Sequence, residues 1–165
     1  MEWVIVAALV VVILVIVVYN RLVRLRNRVD NAWAQVEVQL KRRYDLIPNV
    51  VETVKGYASH ERETFEAVVE ARNAAHAAQG PAEQAQAENA LTSALRRLFA
   101  LAEAYPELRA APNFAQLQTE LSDTENKIAV SRQNYNDAER TYNNAVQGVP
   151  TNRVAGLTGS GGGPV

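Results

Sequence analysis

The sequence predicts an all-α protein in which a single N-terminal transmembrane helix is followed by an up-down four-helix bundle. Three observations point there. Residues 3–19 form an apolar run without a charge, and Ala, Glu, Gln, Arg and Leu dominate the middle of the chain in helical periodicity. Only six Pro and eight Gly occur in 165 residues, the glycines mostly in the last dozen, so few positions interrupt a helix. With the apolar run in lipid and the tail set aside, about 130 residues remain, enough for one modest core.

The run WVIVAALVVVILVIVVY, Trp3 to Tyr19, is about 17 residues long, close to the lower limit for crossing roughly 30 Å of hydrocarbon. Trp3 and Tyr19 bracket it, as amphipathic rings do at the two headgroup levels. A cleaved signal peptide would need a cationic flank before the run and small residues after it, whereas Glu2 precedes it and Tyr19-Asn20-Arg21 follows. A buried soluble helix would need a much larger protein to cover a surface apolar all round. Residues 1–20 are therefore assigned as an anchor.

The net charge of −1 conceals an asymmetry. Arg21, Arg24, Arg26 and Arg28 follow the run directly, with Lys41, Arg42 and Arg43 further on, while the rest of the domain is acidic. Arginines on the C-terminal flank alone place the bulk of a single-pass chain in the cytoplasm of a cell-membrane protein, with a short N-terminus outside. The same collar adds attraction to anionic lipid, on the order of 1 kcal/mol per Lys or Arg near the surface. Trp3, Tyr19, Arg21, Arg24, Arg26 and Arg28 are the expected membrane-interface residues. So close to the bilayer, and on an acidic domain, the collar does not indicate nucleic acid.

Residues 21–150 read as the bundle. Leu22, Leu25, Val29, Trp33, Val36, Leu40, Tyr44 and Ile47 recur by threes and fours as a core-facing stripe with no Gly or Pro between it and the anchor. Lys41 to Arg43 suit a last helical turn, and Pro48 followed by Asn49 and Glu52 reads as a break with a capping box. The alternative is a kinked continuous helix, because the stripe stays in phase through Val51, Val54 and Ala58. The second helix runs to about Ala78, before Gly80-Pro81. A third carries Leu91, Leu95, Leu98, Ala102 and Tyr105 and stops at Pro106 and Pro112.

The fourth helix opens on Asn113 and Gln116 as a second capping box. It then repeats Phe114, Leu117, Leu121, Thr124, Ile128, Ser131, Tyr135, Ala138, Tyr142 and Ala145 over about four heptads, a coiled-coil-like spacing. Four such stripes can bury one another. Residues 151–165, ending GSGGGPV, read as a flexible Gly-rich tail, since too few apolar groups are present to offset ordering.

Chemistry leaves little trace. The absence of Cys excludes disulfides, thiolate metal sites and a cysteine nucleophile. His60, Glu61, Glu63 and His76 match neither HExxH nor another ligand spacing. The tail lacks the Lys-Ser/Thr of a phosphate loop, and Ser59, Ser93, Ser122, Ser131 and Ser160 have no recognisable His-Asp setting. The expectation is a protein that is not an enzyme and binds no cofactor or metal.

Tyr135-Asn136 recurs as Tyr142-Asn143, seven residues on and on the same helical face. This polar layer either sets helix register or forms a partner-binding stripe. Because helix four outreaches helix three, Tyr135, Asn136, Tyr142 and Asn143 are the candidate contact for a second chain.

Two stretches carry a family likeness. YNRLVRLRNRVDNAWAQVEVQLKRRYDLIPNVVETVKGYASHE, from Tyr19 to Glu61, and FAQLQTELSDTENKIAVSRQNYNDAERTYNNAVQGVPTN, from Phe114 to Asn152, together resemble the LemA family. The strings RRYDLIPN and TENKIAVSRQNYND carry the likeness in order. The resemblance implies an N-terminal membrane helix with a tiny external N-terminus and a four-helix-bundle domain; it supplies no catalytic residues, and the family includes members associated with magnetosome membranes. The glycine tail departs from the more charged and aromatic ending usual in the family. The function expected is a membrane-anchored scaffold or interaction module with unidentified protein partners. The alternative is a homo-oligomer that organises or shapes a membrane patch, and a ligand-binding sensor or enzyme is the third class.

Overall fold

A computed structural model describes residues 1–148; the expected tail at 151–165 lies outside them. Every regular element among the described residues is helical. They are α1 (Glu2–Lys55), α2 (Arg62–Ala77), α3 (Pro81–Ala102), α4 (Pro106–Ala110) and α5 (Pro112–Gln147). The chain divides into two compact units, one of residues 1–36 with 129–148 and one of residues 37–128.

In the first unit α1 carries the apolar run, whose large side chains from Trp3 to Val17 are all exposed. Beyond it Leu22 and Leu25 cluster with Tyr142 and Val146 of α5, with Val18, Val29 and Ala145 packed around them. The rings of Trp33 and Tyr135 lie 5.1 Å apart at a tilt of 57°. Position numbers rise along α1 as they fall along α5, so the two helices pair antiparallel. Their stripes cover each other because both repeat at the spacing of a helical seam.

In the second unit α1 continues through Pro48 to Lys55, and the expected break there does not occur. Proline lacks the N–H that would bond the carbonyl of Tyr44. The Nε of Arg72 on α2 donates to that carbonyl at 2.7 Å and takes the missing donor's place. The capping box at Asn49 is likewise absent: the carbonyl of Asn49 accepts from Thr53 Oγ1 at 2.8 Å, and Glu52 pairs with Lys55 at 3.7 Å. With no break at 48, the second helix starts at Arg62, after a turn in which Ala58 N–H bonds Val54 O.

Gly80, at φ 80°, reverses the chain between α2 and α3 in a conformation that L side chains rarely adopt, and Pro81 opens α3. Phe65, Val68 and Ala75 of α2 and Leu91, Leu95 and Leu98 of α3 are buried in the core of this unit with Leu40, Ile47, Val50 and Val54 of α1. α3 ends at Ala102, short of the expected Tyr105, which instead precedes α4 in extended conformation, and Pro106 opens α4, which buries Leu108. α5 begins at Pro112, one residue before the expected cap, and Gln116 reaches forward to Glu120 at 3.3 Å. A proline at the first helical position costs no hydrogen bond, because its missing N–H would have had no intrahelical acceptor.

Candidate membrane interface and buried polar network

The first candidate site is the surface of α1 in the first unit. Trp3 and Tyr19 are exposed at the two ends of the apolar run, and Arg21, Arg24, Arg26 and Arg28 are exposed just past it. Among the described residues α1 is the one helix long and apolar enough to cross a membrane, and no part of its apolar window is buried. An exposed helix of Val, Ile and Leu has no counterpart among water-facing helices, whereas in hydrocarbon its backbone is satisfied internally and its side chains are solvated.

The expected contact for a second chain is disposed differently from the sequence-based picture. Tyr135 and Tyr142 are only 8% and 7% exposed, turned toward α1, so intrachain packing covers their rings. Burial first, with Glu139 and Asp30 adding to it, raises the Tyr135 phenol above its ordinary range. Asn136 is exposed and Asn143 half-buried. α5 does extend beyond the length of α3, but its distal stripe is taken up by α1, a pairing the comparison of helix lengths missed.

The second candidate site lies inside residues 37–128 and was not legible as a site. Arg43 and Glu88 are 4% and 1% exposed, and Arg43 Nη1 meets Glu88 Oε2 at 2.8 Å. Arg43 Nη2 donates to Thr92 Oγ1 at 2.9 Å, and the hydroxyl of Tyr44 bonds the other carboxylate oxygen of Glu88. Gln84 Nε2 donates to the Tyr44 hydroxyl at 2.7 Å and to the Ala75 carbonyl at 3.0 Å. The network ties α1 to α2 and α3. Burial above all, then the bond to Glu88, raises the Tyr44 phenol well above its usual range, so it serves as a permanent donor. A charge at core phase was the available signal: Glu88 stands three residues before Leu91 and seven before Leu95 in the α3 stripe.

This arrangement fixes α1 against α2 and α3. Each carboxylate oxygen of Glu88 has a donor, so the pair acts as a fixed buried link. A cleft of about 160 Å³ beside it is lined by Thr92, Arg96, Ser122 and Glu125. A larger open groove of about 810 Å³ balances Lys55 and Arg62 against Glu66 and Glu70 over Phe65. Neither lining contains a histidine. Among the described residues no three His, Asp or Glu side chains converge as metal ligands, and both His60 and His76 are exposed.

These features define an all-α protein with one N-terminal helix long and apolar enough to cross a membrane. The sequence profile of the LemA family matches residues 32–162, most of the chain. The protein belongs to the LemA family. It is 29% identical over 140 residues to Protein LemA of Metamycoplasma hominis, covering 82% of this chain and 63% of that protein. Over 73 residues it is 36% identical to magnetosome protein MamQ of Magnetospirillum gryphiswaldense and to MamQ 2 of Paramagnetospirillum magneticum. In each case 44% of this chain and 27% of the relative are covered. The chain thus spans less than two thirds of the length of these relatives, none of which carries an enzyme's name.

Proposed function

We propose that this LemA-family protein is a single-pass cell-membrane scaffold without catalytic activity, whose helical bundle faces the cytoplasm and presents a surface to protein partners. The observation that carries this reading is the continuity of α1. One helix bears the exposed apolar run at one end and core residues such as Leu40, Ile47 and Val54 at the other. The cytoplasmic side follows from Arg21, Arg24, Arg26 and Arg28 on the flank of the run. An up-down bundle is supported by the antiparallel pairing of α1 with α5 and by the short reversal between α2 and α3.

Cross-linking of the full chain in native membranes, followed by detergent extraction and capture, tests the scaffold reading. Discrete foreign proteins are the expected yield. Recovery of the chain linked only to itself would refute it in favour of a self-assembling protein that organises a membrane patch. That second reading draws on the likeness to proteins named for the magnetosome, and the exposed Asn136 on α5 is where such a contact would be sought first.

A further inference from the structure

The far end of α5 lies beside the end of the apolar run. Val18, the penultimate residue of that run, packs on the cluster that holds Tyr142 and Val146, together with Ala145. The antiparallel register that sets Val146 with Leu22 brings Gln147 level with Tyr19 and Asn20 to within about one helical turn. Charge along α5 also stops short of this end. Residues 120–140 include Glu120, Asp123, Glu125, Lys127, Asp137 and Arg140, whereas Thr141 to Gln147 contain no charged side chain.

We propose that the last two turns of α5 are a second membrane contact, seated in the lipid headgroup layer through Asn143, Asn144 and Gln147. The inference rests on the reading of residues 3–19 as a membrane anchor. A helix end leaves its final carbonyls without intrahelical donors, so it cannot enter hydrocarbon. The headgroup layer supplies water for those carbonyls and phosphate and ester oxygens for amide donors. Side chains that are polar but uncharged fit that layer at small desolvation cost, and the exposed Arg21 and Arg24 sit at the same level to hold phosphates. Tyr142 and Val146, turned inward onto Leu22 and Leu25, hold the helix end at this depth.

The full chain has no cysteine, so single substitutions at exposed positions report depth directly. Val11→Cys, Asn134→Cys and Gln147→Cys would each be labelled with bimane in vesicles of phosphatidylcholine and phosphatidylglycerol. One vesicle set carries a headgroup nitroxide lipid and the other a mid-chain nitroxide lipid. Positions 134 and 147 are about 13 residues or ~20 Å apart on α5, so the headgroup nitroxide should quench the label at 147 at least about twofold more than that at 134. The mid-chain nitroxide should quench the label at 11. Quenching at 11 with no difference between 147 and 134 would overturn the second contact and leave the anchor standing. A label at 11 that escapes the mid-chain nitroxide would remove the anchor and the inference together.

Discussion

Glu88 and Arg43 are the residues on which the core is most exposed to change. Removing one partner of a buried ion pair strands the other charge, at a cost of about 3–5 kcal/mol, whereas apolar replacement of both is often neutral or stabilising by ~1–4 kcal/mol. Glu88→Ala should therefore lower the urea midpoint of the full chain in detergent far more than the double variant Arg43→Met, Glu88→Leu. A double variant as unstable as the single one would mean that the network as a whole, with Thr92, Tyr44 and Gln84, is what the core requires. Tyr44 adds a pH dependence of defined sign. Its folded-state phenol is raised above the ordinary value of about 10, so its contribution is complete below that pH and is lost as the pH rises further. Tyr44→Phe should cost about 1 kcal/mol near neutrality, since it removes hydrogen bonds. It should also flatten the loss of stability above about pH 10 that circular dichroism would record for the parent chain.

At the scale of the element, α1 passes through a proline because another helix repairs the defect. Arg72 on α2 bonds the carbonyl that Pro48 leaves open, and Pro48 itself is exposed, its ring clear of the core. Arg72→Ala should cost on the order of 1–3 kcal/mol by orphaning that carbonyl. In a Pro48→Ala background the backbone N–H returns, so the same Arg72 substitution should cost measurably less. Equal costs in the two backgrounds, from paired urea titrations, would show that Arg72 does not act through this carbonyl. Periodicity favoured a continuous stripe through Val51 and Val54, while local chemistry around Pro48 favoured a stop. The outcome turned on Arg72, 28 positions from the Tyr44 carbonyl it bonds.

At the scale of the whole molecule, the proposed sidedness rests on four arginines. Replacing Arg21, Arg24, Arg26 and Arg28 with Glu, while adding three Lys ahead of Trp3, should invert the chain in the membrane, because the Lys/Arg bias between the two flanks sets orientation. Protease added to intact cells should leave the parent bundle uncut and digest that of the inverted variant. Digestion of the parent from outside would reverse the topology and withdraw every cytoplasmic partner. The proposed determinant is local to the flanks of the run, so this outcome should not depend on the Arg43–Glu88 network.

By itself the sequence determined the helical class, the apolar run at 3–19, the arginine collar and the buried stripe of Leu22, Leu25, Leu40, Tyr44 and Ile47. Each is local: composition, a run length and a 3.6-residue period need only neighbouring residues to be read. Its strings RRYDLIPN and TENKIAVSRQNYND also marked the family that the profile match establishes. Tertiary structure alone decided that Arg43 meets Glu88 across 45 positions and that Tyr135 and Tyr142 are spent on α1. It also decided that α5 ends beside Val18. Those facts are pairings between segments distant in the chain, and a pairing exists only once helices have chosen which faces to bury against one another.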